Sequence, residues 1–188
     1  MEIVTYSQRY EEEVVELWNK TLTADPITVY KFRKQALFDD NFDTDLCYVA
    51  LENDRVIGFL LATKRKFPYL ERGLEPTRGW INVMFVEEAH QRKGVGETLV
   101  RKAEDKLKSL GVESVTLGAY SPNYFFPGID AENYAAAKTF FEKLGYQAGK
   151  ASYSMCKDLH GYRIGGDTPD KKAKAEEAGY RFIHFEYK

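Results

Sequence analysis

Val83-Met84-Phe85-Val86-Glu87-Glu88-Ala89-His90-Gln91-Arg92-Lys93-Gly94-Val95-Gly96 passes from an apolar, strand-like run through a basic turn and directly into a helix. That arrangement is suited to holding phosphate. Gly94 and Gly96 let the backbone pass close beneath a ligand, and the amides from Lys93 to Glu97 are the unpaired donors of a first helical turn. The helix dipole adds partial positive charge there, and Arg92 and Lys93 add whole charges.

Val95, Leu99, Val100, Ala103, Leu107 and Leu110 fall on one face of the helix at its natural period, with charged residues opposite. Gly111 suits a left-handed C-terminal cap, and 112–120 then reads as a second strand. Three phosphate-binding designs compete for such a unit. A P-loop needs lysine followed by Ser or Thr after its last glycine, whereas Gly96 is followed by Glu97 and Thr98. A dinucleotide fingerprint needs glycine or alanine where Leu99 stands, and no long polar loop before its first glycine.

The third design fits: Gln91-Arg92-Lys93-Gly94-Val95-Gly96 resembles the Gln/Arg-x-x-Gly-x-Gly/Ala motif of the GNAT superfamily of N-acetyltransferases. Further on, Ala135 to Tyr146, ending Glu142-Lys143-Leu144-Gly145-Tyr146, resembles the second motif of that family, and the likeness spans about residues 1–157. It implies an α/β (α+β) fold: a mixed, mostly antiparallel twisted sheet, splayed between central parallel strands and flanked by helices. It also implies acetyl-CoA as cosubstrate and a primary amine, on a small molecule or a protein, as acceptor. Gln91, Arg92, Lys93, Gly94, Val95 and Gly96 would hold the pyrophosphate, Met84 and Val86 would pair with the pantetheine arm through their backbone, an amide near Phe85 would polarise the thioester carbonyl, and Phe141 would line the cleft.

The sequence departs from the family at its acid and base. The tyrosine that serves the leaving thiolate in many members falls on Phe141, the glutamate that some protein-acetylating members carry on the central strand falls near Trp80, and the usual asparagine falls on Tyr134, with Asn133 displaced by one. Substitutes are Asn82, which strict alternation places on one strand face with Trp80, Met84 and Val86; Tyr120, at the end of the neighbouring strand; and Glu87, just beyond the central strand. Tyr124 and Tyr134 are further hydroxyls near the splay. The alternative to a transferase is a regulatory acyl-CoA-binding module without turnover.

Composition narrows the rest. With 27 basic against 29 acidic residues among 188, no charge sign dominates, and neither a nucleic-acid nor a membrane surface is indicated. No apolar run is long enough to span a bilayer, and Met1 to Tyr6 does not read as a signal peptide. Cys47 and Cys156 do not make a disulfide framework, so a reducing cytoplasm is expected, and His90, His160 and His184 lack metal-ligand spacing, so no metal is expected. Oligomeric state is open, a homodimer included.

Along the chain, Met1 to Tyr6 reads as a strand. Ser7 is read as the cap of a helix with Tyr10, Val14, Leu17 and Trp18 inside and Glu11, Glu12, Glu13 and Glu16 outside. Asp25-Pro26 signals a second helix start, and 46–51 and 55–63 form a hairpin about Glu52-Asn53-Asp54. Lys64 to Gly79 is a long loop, and Trp80 to Val86 is a central strand with Ser114 to Tyr120 parallel to it. The aromatic loop Tyr124-Phe125-Phe126 is read either as a wall of the acceptor pocket or as a core plug. Asp130 is read as the cap of the helix that ends at Gly145. Closing strands are expected over Tyr146 to Lys157 and, after a linker and a short helix, over Tyr180 to Tyr187. Residues 1–157 are thus read as the acetyltransferase-like domain, and 158–188 as an added edge strand or the start of another module.

Overall fold

Alternating apolar residues build the strands, and the 3.6-residue stripes build the helices that cover them. In the computed structural model, which describes residues 1–123, 125–149, 151, 153 and 155–184, the chain divides into a unit of residues 1–148 and a second of residues 149–188. In the first, β1 (Glu2–Thr5), β2 (Cys47–Glu52), β3 (Arg55–Lys64), β4 (Arg78–Val86) and β5 (Ser114–Leu117) lie side by side in chain order. The first three pairings are antiparallel and β4 to β5 is parallel. α1 (Glu11–Thr21) and α2 (Val29–Phe32) cover one face, where Val14, Trp18 and Phe32 meet Phe59, Val83 and Phe85. α3 (Val95–Ser109) covers the other, where Leu99, Val100, Ala103 and Leu107 meet Leu60, Ala62 and Ile81. α4 (Ala135–Lys143) sends Phe141 into that second core.

The parallel pair is short and carries the architecture of the site. Register runs from Arg78 opposite Ser114 to Ile81 opposite Leu117, Gly118 N–H donates to Ile81 O, and there the pairing stops, while β4 continues to Val86. Gly118, at φ +64, and Ala119, at φ +54, turn the chain away. A side chain on Gly118 would meet Phe126 O at 2.8 Å, so only glycine allows this turn to pack on the following loop.

Several expectations need correction. β4 does not alternate strictly: Val83 pairs with Leu61 and Ile81 with Ala62, leaving Asn82 bulged between them. The bulge sends Ile81 to the α3 side and Val83 to the α1 side, so Trp80 and Asn82 do not simply share a face with Met84 and Val86. Glu11 is buried, because Arg33 embraces its carboxylate from α2's continuation at 2.8 and 2.5 Å. Ser7 makes no side-chain cap, since a 3-10 turn over Gln8–Tyr10 precedes α1. Asp25 does not open α2; Thr28 does, its hydroxyl accepting from Lys31 N–H. Asp130 caps a turn before α4 rather than α4 itself, accepting from the amides of Glu132 and Asn133.

Neither closing strand is present among the described residues of 146–157 and 180–184; Lys150, Ser152, Ser154 and residues 185–187 of those stretches lie outside them. Among its described residues the second unit has one helix, α5 (Thr168–Glu177), with Pro169 in its first turn. Tyr153, Met155, Ile164, Phe182 and Ile183 of this unit are exposed. Among the described residues no helix is long and apolar enough to cross a membrane.

Candidate functional site

Where β4 and β5 part, a cavity of about 570 Å³ opens between them and runs to the start of α3. Its floor is β4 from Ile81 to Val86, with Phe140 and Phe141 of α4 on one side and Leu22 and Phe126 on the other. Of the residues read from the sequence, it gathers Asn82, Met84, Phe85, Val86, Gln91, Arg92, Gly94, Gly96 and Phe141. Lys93 and Val95 do not line it: Lys93 is exposed, and Val95 is buried in the α3 core.

The basic end is built by backbone. Arg92 at φ +57 and Gly94 at φ +85 curl the loop, and the first bond within α3 is Thr98 N–H to Gly94 O. The amides of Val95, Gly96 and Glu97 therefore precede any helical partner and point out of the helix start. No atom lies within 4 Å of the place a Gly94 side chain would occupy, and one on Gly96 would meet Phe140 at 3.4 Å and Met84 at 3.6 Å. Gln91 Nε2 donates to Val86 O at 3.1 Å, tying the loop to the end of β4. Free amides at a helix start with a cation beside them have the chemistry that suits an anion such as a diphosphate.

At the middle of the cleft, Asn82 is 5 % exposed; its Nδ2 donates to Thr63 Oγ1 at 2.8 Å, while its Oδ1 is buried without a partner. An orphaned carbonyl oxygen costs about 1–3 kcal/mol, and a bound N–H or water would recover that cost.

The other two catalytic candidates stand elsewhere. Tyr120 is fully buried and outside the cavity; its hydroxyl donates to Asp39 Oδ1 at 2.9 Å and accepts from Asn41 Nδ2 at 2.8 Å. Burial and the Asp39 charge raise its pKa strongly, and Trp80 and the Arg65 guanidinium pack on its ring. Arg65 is itself buried, bonded to Glu75 Oε2 at 3.0 Å and to Ser121 O at 2.8 Å. Glu87 also lies outside the cavity, with its carboxylate 2.7 Å from His90 Nδ1, though without hydrogen-bond alignment. His90 Nε2 sits 2.9 Å from Glu52.

Tyr134 does line the cavity. Its hydroxyl donates to Asp25 Oδ2 at 2.9 Å, and its pKa is pushed up to about 12 by burial and by that bond. In the aromatic loop, Phe126 lines the cavity and stacks on Trp18, while Phe125 meets Trp18 edge-on in the core. Tyr124 lies outside the described residues. The pairs Asp25–Tyr134 and Asn41–Tyr120 were not legible beforehand, because 109 and 79 residues separate their members.

Comparison with known proteins agrees with this geometry. The model of the acetyltransferase (GNAT) family matches residues 11–146. N-alpha-acetyltransferase 30 of Dictyostelium discoideum is 26 % identical over 106 residues, 56 % of this chain and 51 % of that protein, so the match spans about half the length of this curated relative. The apo structure of an aminoglycoside 6'-N-acetyltransferase from Acinetobacter haemolyticus superposes with a TM-score of 0.57 at 20 % identity, over 84 % of this chain and 99 % of the other. An aminoglycoside N-acetyltransferase solved in complex with CoA gives 0.55 at 15 %, over 84 % and 99 %. A collar of free amides at a helix start, a sheet forked above it and a family model covering most of the chain lead to one conclusion: the chain belongs to the GNAT family of acetyltransferases, which move an acetyl group from acetyl-CoA to an amine.

Proposed function

We propose that this chain acetylates a primary amine of a small molecule or a protein, the amine attacking the thioester of acetyl-CoA directly. The observation that carries the reading is the cleft itself: a forked β4–β5 pair whose open end leads to the unpaired amides of the α3 start. In this reading the loop from Gln91 to Gly96 holds the pyrophosphate, through the free amides at the α3 start and with Arg92 beside them. The backbone of β4 beyond Ile81, which has no β5 partner, pairs with the pantetheine arm as a neighbouring strand would. An unpaired amide of β4, near Phe85 or at the Asn82 bulge, faces the thioester oxygen and stabilises the oxyanion.

Asn82 Oδ1 takes a proton donor of the incoming amine or of a water that serves it. Tyr120 and Glu87 are given no chemical step, because neither reaches the cleft. Phe141 lines the arm's path and cannot protonate the thiolate, so positioning and the oxyanion contact supply most of the rate. The related proteins are named for a protein N-terminal amine and for an aminoglycoside, and the acceptor of this chain belongs to the same broad class of amines.

We place the catalytic domain within residues 1–157, with 158–188 as an appended segment, and the protein in the cytoplasm without a nucleic-acid or membrane partner; a homodimer is compatible with the reading. The division of the chain near residue 148 supports the domain placement, and charge balance with two free cysteines supports the cytoplasmic one. The test is free-thiol release from acetyl-CoA against n-butylamine, spermidine and a peptide with a free N-terminal methionine. Acceptor-dependent release establishes the transferase. Coenzyme binding with no release from any amine would make the chain a regulatory acyl-CoA-binding module instead.

A further inference from the structure

An amine acetyltransferase must dispose of a proton, and the positions that the family resemblance offers for a tyrosine hydroxyl and a strand carboxylate hold Phe141 and Trp80 here. At neutral pH a lysine-like amine is free base in only about one molecule in a few thousand, and the nitrogen carries an extra proton again once it has attacked. Some group in the cleft has to take that proton outward.

Among the described lining residues, Tyr134 presents a hydroxyl with a carboxylate behind it. Tyr134, just before α4, faces the same cavity as Asn82 and Phe141. Its O–H is committed to Asp25 Oδ2 at 2.9 Å, and the Ala24 amide also bonds its oxygen. A phenol oxygen has two lone pairs, so one is left for a donor in the cavity. Asp25 is partly exposed, and its backbone is fixed independently of its carboxylate: its N–H donates to Leu22 O, and its C=O accepts from Trp18 Nε1 at 2.8 Å. Asp130, also on the cavity wall, adds a second negative charge near the phenol. From cavity to water the order is therefore lone pair, phenol proton, carboxylate, solvent.

We infer that Tyr134 and Asp25 form a proton wire that drains the attacking amine, with Tyr134 as the catalytic residue touching the amine and Asp25 as the base behind it. This rests on the transferase reading above. As the N–C bond forms and the tetrahedral adduct collapses, the C–S bond breaks and its electron pair leaves on sulfur. One ammonium proton passes to the Tyr134 oxygen while the phenol proton passes to Asp25. Asp25 releases it to water, and the coenzyme thiolate takes a proton from solvent on departure. No oxidant, metal or further reactant is needed. The pair spans 109 residues, joining the loop after α1 to the start of α4, so it also orders the acceptor end of the cleft.

The test uses the full chain, acetyl-CoA and whichever of n-butylamine, spermidine and the methionyl peptide the wild type turns over fastest. Tyr134→Phe is expected to lower kcat by roughly 100-fold, within the range found for general acid–base groups, with coenzyme A affinity by titration changed less than about twofold, as expected for a group that does not bind the coenzyme. Asp25→Ala is expected to fall similarly and to regain part of its rate with added formate, which replaces the carboxylate; Tyr134→Phe should gain nothing from formate. A merely structural pair would show no such selective rescue. Full kcat in Tyr134→Phe overturns the proposal, as does loss of coenzyme affinity in step with kcat, or failure of formate to restore Asp25→Ala. Absence of turnover by the wild type would be seen before any variant is made; it would remove the transferase reading, and the wire with it.

Discussion

Removing the Tyr120 hydroxyl should cost stability rather than chemistry. Its oxygen stands between Asp39 and Asn41 in a fully buried setting, and Tyr120→Phe takes the acceptor from Asn41 Nδ2 and one of two donors from Asp39 Oδ1, which keeps the Asn41 backbone amide. Stranding buried polar groups costs about 1–3 kcal/mol. The denaturant midpoint should fall accordingly, with coenzyme A affinity unchanged; an unchanged midpoint with lost turnover would return Tyr120 to the catalytic list. From sequence the residue looked catalytic because it ends the strand beside the fork. What decided its role was Asn41, whose Oδ1 also takes the amides of Lys66 and Phe67 and so fastens two loops to one side chain. Gly94 is the opposite case. Its place in a turn that opens into α3 depends on its own backbone and its neighbours within a few residues, so it was readable without knowing the fold.

At the scale of elements, the same contrast separates α3 from β4. The helix and the loop before it are local objects, specified by period, glycine and charge over residues 91–111. The bulge in β4 is set by register with β3, through Leu61 and Ala62, and a reading by strict alternation has no way to foresee it. Glu11 was misassigned for a similar reason, since a carboxylate goes inward only when a cation such as Arg33 goes with it. The loop between β3 and β4 is held by Glu75, which takes Arg65 and Arg78 at 3.0 Å each. Burial alone would raise the pKa of Glu75, but the two arginines outweigh it and hold the carboxyl below its ordinary value. A depressed carboxyl contributes stability that is present above the unfolded value of about 4.3 and is lost as pH falls through the folded one. Wild type should therefore exceed Glu75→Gln in denaturant midpoint at pH 7, and the gap should close as pH is lowered below about 4. A gap that stays constant would mean that the ion pairs are not its source.

For the whole molecule, the sheet, its forked centre and its helical cover followed from the likeness of two motifs plus hydrophobic pattern. The ends of the plan did not: the aromatic patterns over 146–157 and 180–187 resembled strands, yet the described residues of those stretches form none, because a strand needs a partner edge and apolar alternation does not supply one. If the catalytic domain lies within residues 1–157, a chain ending at Lys157 should bind coenzyme A within about threefold of the full protein, a change under 1 kcal/mol. A much larger loss would make the appended segment part of the site.

The central claim, that the cleft opening onto Gly94 and Gly96 is the acetyl-CoA site, is tested most directly by calorimetric titration of the wild type and of Gly94→Asp with acetyl-CoA. Asp at this position combines a left-handed φ of +85° with a negative charge where the diphosphate must sit. The account predicts saturable one-to-one binding by the wild type and a loss of roughly 100-fold or more in the variant, about 3 kcal/mol. Equal affinity in the two proteins, or no binding by the wild type, would contradict it.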